Sequence, residues 1–270
     1  MPELPEVETT RRGIEPLLRG RRVSGLTLRA AGLRRPFATD LADRLTGRRL
    51  RAVRRRAKYL LFDFAHGSLL LHLGMSGSLR VVDSEAPAGR HDHVDIDFSG
   101  RILRMTDPRK FGVLLWAGTD VDSHPLLRYL GPEPLSDAFD GAYLLGRCRK
   151  RRTAIKALLM DQKVVVGVGN IYASEALFRA GIRPDRPCGR LSAAECDRLV
   201  AAVRDVLTRA IAAGGTTLRD FQRADGRPGY FSLELQVYGR GGEPCVACGQ
   251  ELEQMRLAGR STFFCRYCQH

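Results

Sequence analysis

The stretch HVDIDF, residues 93–98, alternates apolar and polar side chains, as is typical of a half-buried β-strand. It is the clearest of several short runs, rich in Leu, Val and Ile, between about Val23 and Trp116. Glycines and the segment APAG separate these runs, as turns separate strands. The pattern predicts six to eight antiparallel strands packed as a β-sandwich.

The periodicity becomes helical on both sides of this region. Upstream, residues 4–20 predict a helix, because Pro5 suits a first turn and Gly20 suits a helix end. Ser192 and Glu195 have the spacing of a capping box at the start of a longer helix. Downstream of the strands, helices are predicted over residues 153–160, 170–181 and 191–215. The fold class is therefore α+β, with an N-terminal antiparallel β-sandwich flanked by helices and a helical C-terminal part.

The charge of the chain indicates a polyanionic partner. Its 270 residues carry a formal net charge of +14, with a pI of about 10.0. Nucleic acid is favoured over an anionic membrane, because no stretch reaches about 18 uninterrupted apolar residues. The most apolar region is broken by Asp63 and His66, and the N-terminus has no secretory signal pattern. We expect a cytoplasmic protein that does not bind membranes.

Four cysteines near the C-terminus form the pattern C-x2-C-x16-C-x2-C. Two turns, each presenting two thiolates, suit one tetrahedral zinc ion with no position open for a substrate. We expect a zinc-bound β-hairpin that holds Arg256 and Arg260 against a phosphate backbone. The predicted ligands are Cys245, Cys248, Cys265 and Cys268. The other three cysteines, Cys148, Cys188 and Cys196, are expected to be small buried side chains.

The N-terminus MPELPE offers a nucleophile, because removal of Met1 would leave Pro2 with a free secondary amine. An α-amino group titrates near pKa 8, so about a tenth of it is neutral at pH 7. Its attack on a sugar C1′ gives an iminium that acidifies the C2′ proton, which permits strand cleavage. Glu3 and Glu6 lie close enough in sequence to transfer protons. The same residues also suit an ordinary helix start, so this segment alone does not decide between the two interpretations.

Several segments together resemble the bacterial formamidopyrimidine-DNA glycosylase family, and they occur in order from Met1 to Gln269. They are MPELPEVETTRRGIEP, RRAKYLLF, HLGMSGSLR, HDHVDI, TDPRKFG, LGPEPL, VVGVGNIYASEALF, GGTTLRDF, ELQVYGR and the cysteine module. The resemblance implies that Pro2 is the nucleophile, that Glu3 transfers protons and that Glu6 supports them. It also implies that Lys58 lies near the phosphate and sugar of the target nucleotide.

The resemblance further implies residues that contact DNA. Met75, Arg109 and Phe111 would fill the gap left by an extruded base and bind the orphaned cytosine. His72 and His91 are candidates for phosphate contacts, although a hydrogen-bonded structural role is equally compatible with each.

A helix-two-turn-helix module is implied around KVVVGVGNIYASE. There Gly169 and Asn170 would bind a phosphate at a helix start, and Lys156 would add a positive charge. Arg260 would grip the backbone from the zinc hairpin, and residues 217–238 would form a base-recognition loop.

The implied organisation is a catalytic β-sandwich domain, a hinge with a short helix, a helix-two-turn-helix domain with the recognition loop, and a zinc hairpin. Their expected boundaries are 1–132, 133–150, 151–235 and 236–270. DNA would lie between the two main domains of a monomer.

The implied function is a bifunctional glycosylase and abasic-site lyase. It would remove 8-oxoguanine and formamidopyrimidines from duplex DNA and cut the strand by β,δ-elimination. One alternative is an endonuclease VIII-like enzyme for oxidised pyrimidines, which PELPEV in place of PEGPEI, together with Arg109 and Phe111, disfavours. A non-catalytic zinc DNA-binding protein is the other alternative.

Overall fold

The computed structural model describes residues 2–216 and 234–270. The chain forms two compact units. The first comprises Met1–Arg128 with Ala213–Ser232, and the second comprises Tyr129–Ala212 with Leu233–His270. Antiparallel sheets, helices and a C-terminal cysteine cluster confirm the predicted α+β class.

The described residues of the first unit form two helices and eight strands, in agreement with the predicted number of strands. The helices are α1 (Leu4–Leu18) and α2 (Leu41–Leu45). The strands are β1 (Gly25–Leu28), β2 (Ala52–Arg56), β3 (Tyr59–Phe64), β4 (Gly67–His72), β5 (Ser78–Asp83), β6 (Asp92–Asp97), β7 (Arg101–Thr106) and β8 (Val113–Gly118).

The eight strands form two antiparallel four-stranded sheets, in the orders β1-β6-β7-β5 and β2-β3-β4-β8. Side chains from both sheets share one apolar core, as in the predicted sandwich. Phe62 and Leu71 enter it from one sheet, and Ile96 and Leu103 enter it from the other. Ile14 of α1 packs into the same core, which fixes the N-terminal helix against the strands.

The second unit is helical and ends in a β-hairpin. Its helices are α3 (Gly141–Cys148), α4 (Ile155–Leu159), α5 (Asn170–Arg179) and α6 (Ala193–Ala212), and its strands are β9 (Glu253–Leu257) and β10 (Arg260–Phe264). The predicted capping box is confirmed, because the Ser192 amide donates to Glu195 at 2.8 Å and the Glu195 amide donates to Ser192 Oγ at 3.3 Å.

The three isolated cysteines of the second unit are buried, as predicted. Within the two described ranges, no helix has both the length and the apolar character required to cross a membrane.

Candidate functional site

The N-terminal helix begins at a pair of buried glutamates. Glu3 is the N-cap of α1, and its backbone N–H donates to Glu6 Oε2 at 2.8 Å in a capping box. Both side chains are buried, as is the neighbouring Pro2. The positive end of the helix dipole stabilises the negative charge of the two glutamates. The predicted nucleophile, Pro2, therefore directly precedes a site suited to carboxylates.

Glu6 also holds a distant part of the first unit. Its Oε1 accepts a hydrogen bond of 2.8 Å from the backbone N–H of Thr216. Gly215 packs so closely that an added Cβ would lie 3.2 Å from the same oxygen, and its φ of +83° favours glycine. The Glu6 carboxylate therefore links the start of α1 to residues 215–216.

Lys58 lies in a two-residue turn between β2 and β3, where Arg56 pairs with Tyr59. Ala57 has a φ of 54°, a left-handed conformation that is uncommon outside glycine. The Lys58 side chain is buried rather than exposed at a strand end. Tyr59 pairs with His72 across β3 and β4, so this register brings Lys58 close to His72.

His72 is neutral in this environment. Burial lowers its pKa to about 4, and the positive charges of Lys58 and Arg34 contribute to the decrease. Its Nδ1 accepts a hydrogen bond of 3.0 Å from the Gly74 amide. The neutral ring must therefore carry its proton on Nε2, which makes Nε2–H a donor suited to a phosphate.

Met75, Arg109 and Phe111 lie on two adjacent loops. The Arg109 guanidinium lies 4.8 Å from the centre of the exposed Phe111 ring, a cation–π contact. Met75 is half-buried on the loop after β4. Gly74 is necessary there, because its φ is +66° and an added Cβ would lie 2.5 Å from the Phe111 carbonyl carbon. The three predicted probe residues are thus carried by tightly packed loops.

Asp107, which sequence reasoning missed, fastens these two loops together. Its fully buried carboxylate accepts hydrogen bonds of 2.8 Å from Ser76 Oγ and from the Gly112 amide. Ser76 Oγ in turn accepts a bond of 3.3 Å from the Arg109 amide. Ser76 lies in the motif HLGMSGSLR and Asp107 in TDPRKFG, but nothing in the sequence indicated that their side chains are in contact.

His91 contacts the same loop through its backbone. Its carbonyl accepts a 2.9 Å hydrogen bond from the Asp107 amide, while the ring is half-buried beside the His93 ring. His93, rather than His91, contacts the Asp107 carbonyl through Nε2 at 3.0 Å. A phosphate contact by His91 stays a prediction.

In the second unit, α5 begins directly after a glycine-rich turn. Gly169 is its N-cap, and Gln162 Oε1 accepts a 3.0 Å hydrogen bond from the Gly167 amide within that turn. Asn170 Nδ2 donates to the Ser261 carbonyl at 3.0 Å. Asn170 Oδ1 is buried and accepts no hydrogen bond from the described residues. The bracing by Gln162 was also missed from the sequence.

Lys156 is buried against the hairpin rather than exposed to solvent. Its Nζ donates to Thr262 Oγ1 at 2.8 Å and to the Ser261 carbonyl at 3.3 Å. Arg260 lies exposed at the start of β10, after a turn in which Ala258 and Gly259 both have positive φ. Lys156 thus anchors the hairpin that carries Arg260, and a direct DNA contact by Lys156 stays a prediction.

The four C-terminal cysteines converge on one point. Their sulfur atoms all lie within 4.8 Å of one another, with 3.9 Å between Cys245 and Cys268 and 3.5 Å between Cys248 and Cys265. Zinc–sulfur bonds of about 2.3 Å in a tetrahedron require sulfur separations of about 3.8 Å, so the site fits zinc. One structural zinc ion held there supplies a cross-link between the two cysteine turns.

The predicted site residues are therefore distributed over both units. The predicted recognition loop, residues 217–238, falls largely outside the described residues. Of its described part, Gln236, Val237 and Tyr238 donate their amides to the buried Glu175 carboxylate at 2.8 to 3.0 Å.

The fold and these clusters define a DNA glycosylase of the helix-two-turn-helix class with a zinc hairpin. The family model of the formamidopyrimidine-DNA glycosylase N-terminal domain matches residues 1–114, and that of the H2TH domain of the same enzyme matches residues 130–222. A model described as a zinc finger found in FPG and IleRS matches residues 242–270. The chain belongs to the formamidopyrimidine-DNA glycosylase family, which confirms the resemblance.

Individual relatives match the whole chain. The formamidopyrimidine-DNA glycosylases of Alkalilimnicola ehrlichii and Stenotrophomonas maltophilia are 59% and 58% identical, with 100% of both chains covered in each case. The Thermus thermophilus MutM crystal structure has a TM-score of 0.89 at 42% identity, covering 99% of this chain and 98% of that one. A Lactococcus lactis FPG variant in complex with Fapy-dG-containing DNA has a TM-score of 0.94 at 35% identity, with 100% of both chains covered.

Proposed function

We propose that this protein excises oxidised purines from duplex DNA and then cuts the strand, with the secondary amine of Pro2 as nucleophile. Membership of the formamidopyrimidine-DNA glycosylase family supports the enzyme class. The observation that carries the residue assignment is the buried start of α1, where Pro2 directly precedes the Glu3 and Glu6 pair.

The chemistry begins with attack of the Pro2 nitrogen on C1′ of the damaged nucleotide. A bond forms between that nitrogen and C1′, the glycosidic bond breaks, and the base leaves with a proton. The C1′–O4′ bond then breaks, O4′ takes a proton from Glu3, and an iminium forms between the Pro2 nitrogen and C1′. This iminium makes the C2′ proton acidic, so its removal expels the 3′ phosphate. A second elimination expels the 5′ phosphate and completes the β,δ sequence.

Three side chains support these steps. Glu3 exchanges protons with the sugar, and Glu6 fixes the position of Glu3 through the 2.8 Å bond to its backbone. Lys58, buried in its turn beside His72, supplies positive charge for the phosphate and sugar of the target nucleotide.

The DNA contacts complete the proposal. Met75 and Phe111 fill the space of the extruded base, and Arg109 binds the orphaned cytosine. His72 and His91 contact phosphates, as do Gly169 and Asn170 at the start of α5, because a helix N-terminus favours an anion. Arg260 grips the backbone from the zinc hairpin that Lys156 anchors.

The proposal extends to the setting of the enzyme. We assign residues 1–132 to the catalytic sandwich, 133–150 to the hinge, 151–235 to the helix-two-turn-helix domain and 236–270 to the zinc hairpin. A cytoplasmic location with nucleoid association follows from a chromosomal substrate. The Lactococcus lactis relatives bound to damaged DNA support duplex DNA as the partner.

Borohydride reduction of the iminium tests the nucleophile. Wild-type enzyme incubated with an 8-oxoguanine duplex and borohydride should give a covalent adduct whose peptide map places the sugar on Pro2. Pro2→Gly should lose strand cleavage and still bind the duplex, while Lys58→Gln should still attach at Pro2. An adduct on Lys58, or full cleavage by Pro2→Gly, would contradict the assignment.

The lesion class requires its own measurement, because a Lactococcus lactis Fpg structure contains DNA with an oxidized pyrimidine. In competition between 8-oxoguanine and thymine glycol duplexes, we expect the purine lesion to be excised preferentially. Preference for thymine glycol would instead place the substrate with the endonuclease VIII-like enzymes.

A further inference from the structure

A group of exposed arginines in the first unit includes none of the residues assigned above. We call it the arginine ladder: Arg19, Arg21, Arg22, Arg48, Arg49 and Arg51. All six are exposed, and all belong to two short segments of the first unit, residues 19–23 and 47–51.

The two segments are held together as a narrow antiparallel pair. Arg22 and Arg49 form a β-bridge, so their backbones are directly opposite each other. The Leu50 amide donates to the Arg21 carbonyl at 2.9 Å, and the Val23 amide donates to the Arg48 carbonyl at 2.9 Å. The arginines therefore extend from an ordered backbone.

Buried apolar residues alternate with these arginines and anchor both segments. Leu18, Val23, Leu45 and Leu50 are at most 1% exposed and belong to the core of the sandwich. Within the ranges 19–24 and 46–51, every exposed residue is an arginine, a glycine, Ser24 or Thr46. Protein interfaces usually have an apolar centre, which this surface does not provide.

The ladder arginines have no carboxylate partner within salt-bridge distance among the described residues. None of its six arginines forms a salt bridge with any residue in the described ranges, whereas exposed arginines such as Arg44 and Arg266 do. Arg22 and Arg49 also place like charges directly opposite each other, which destabilises a β pair. A phosphate backbone would supply the missing negative charge.

The ladder is also remote from the predicted nucleophile along the fold. It begins at the C-terminal end of α1, whose N-terminal end carries Pro2, Glu3 and Glu6. The helix has 15 residues, which corresponds to a length of about 22 Å. The ladder is therefore a surface separate from the catalytic residues.

We propose that the arginine ladder is a second, sequence-independent DNA-binding surface that contacts the phosphate backbone of a duplex other than the one under repair. The inference rests on the proposed function, because it assumes that the catalytic residues engage damaged DNA. Two duplexes bound at once would let the enzyme transfer between DNA segments while it searches for lesions.

The test uses an enzyme whose catalytic site is already occupied. Wild-type enzyme is trapped by borohydride on an immobilised 8-oxoguanine duplex, and a short fluorescent undamaged duplex is then titrated at several salt concentrations. Failure to form the adduct would contradict the proposed function alone. Once the adduct forms, retention of the second duplex reports on the ladder.

A quadruple variant, Arg21→Gln, Arg22→Gln, Arg48→Gln and Arg49→Gln, removes four ladder charges. The matched control removes the same net charge from four ion-paired arginines outside the ladder. These are Arg44→Gln, Arg183→Gln, Arg209→Gln and Arg266→Gln. Each phosphate contact contributes about 0.9 to the slope of log affinity against log salt, so the ladder variant should lose up to about 3.6 from that slope.

We expect the trapped wild-type and control enzymes to retain the second duplex at low salt and the ladder variant to release it. Circular dichroism and thermal unfolding should match between the variants, which excludes misfolding as the cause. The proposal is overturned if the trapped wild-type enzyme retains no second duplex. It is equally overturned if the ladder variant and the control lose the second duplex to the same extent, or if neither does.

Discussion

Substitution of Asp107 should separate base excision from strand cleavage. The Asp107 carboxylate is fully buried and accepts one 2.8 Å bond from Ser76 Oγ and another from the Gly112 amide. In Asp107→Asn, one carboxylate oxygen becomes an NH2 group, which cannot accept a hydrogen bond. The amide can keep its oxygen on the Gly112 N–H while the Ser76 hydroxyl rotates to accept from the NH2 group, so both bonds persist without the negative charge.

The expected magnitude follows from the lost negative charge. A hydrogen bond to a charged group contributes about 1.5–3 kcal/mol and a neutral one about 0.5–1.5 kcal/mol, so weakening both bonds in Asp107→Asn should lower the free energy of unfolding by about 2–3 kcal/mol. Asp107→Ala loses both bonds and should cost about 3–6 kcal/mol. Because the bonded loops hold Met75, Arg109 and Phe111, excision by Asp107→Asn should fall by up to about 30- to 150-fold.

Single-turnover kinetics measure the effect with two substrates. We expect slow release of 8-oxoguanine, whereas incision of a preformed abasic site should change little because no base remains to be extruded. Asp63→Asn is the matched control, because the Asp63 carboxylate also accepts a bond from a serine hydroxyl, that of Ser68, away from these loops. Equal losses on both substrates, or an unchanged excision rate with the expected loss of stability, would refute the positioning role.

Three further predictions follow from the same structure. Because the pKa of His72 is lowered to about 4, the unfolded state binds its proton first as the pH falls below about 6.5. The free energy of unfolding should therefore decrease between pH 6.5 and 4 by more in the wild type than in His72→Gln, as urea titrations at two pH values would show. Gly74→Ala should lower both the thermal stability and the excision rate, because the added Cβ would lie 2.5 Å from the Phe111 backbone. Thermal unfolding and excision kinetics would measure the two losses. Removal of zinc with a chelator should unfold the hairpin and weaken DNA binding, and added zinc should restore both, as measured by circular dichroism and fluorescence anisotropy.

Local sequence patterns predicted much of this fold because their physical causes are local. The capping box at Ser192 and Glu195 depends on residues three positions apart. The zinc site follows from two short cysteine turns whose spacing is visible in the chain. The strand region was identified because alternation along a strand reflects which face is buried, and eight strands lie where six to eight were predicted.

Residues that act across the fold could not be predicted in the same way. The bond from Lys156 Nζ to Thr262, which is 106 residues away in sequence, was not predicted. The role of Asp107 depends on a bond to Ser76 across 31 residues. Neither contact has a periodic pattern or a fixed spacing, so only the tertiary structure brings the partners together.

The buried glutamates show how stability and site geometry depend on the same groups. Burial raises the pKa of Glu175, and hydrogen bonds from the amides of residues 236–238 oppose the increase. Glu6 likewise accepts hydrogen bonds from the backbone amides of Glu3 and Thr216. Glu3 directly follows the predicted nucleophile, Pro2. Each carboxylate thus orders backbone on one side of residues 217–233. Because a buried carboxylate without such amides would be costly, these chain segments stabilise the burial of both glutamates.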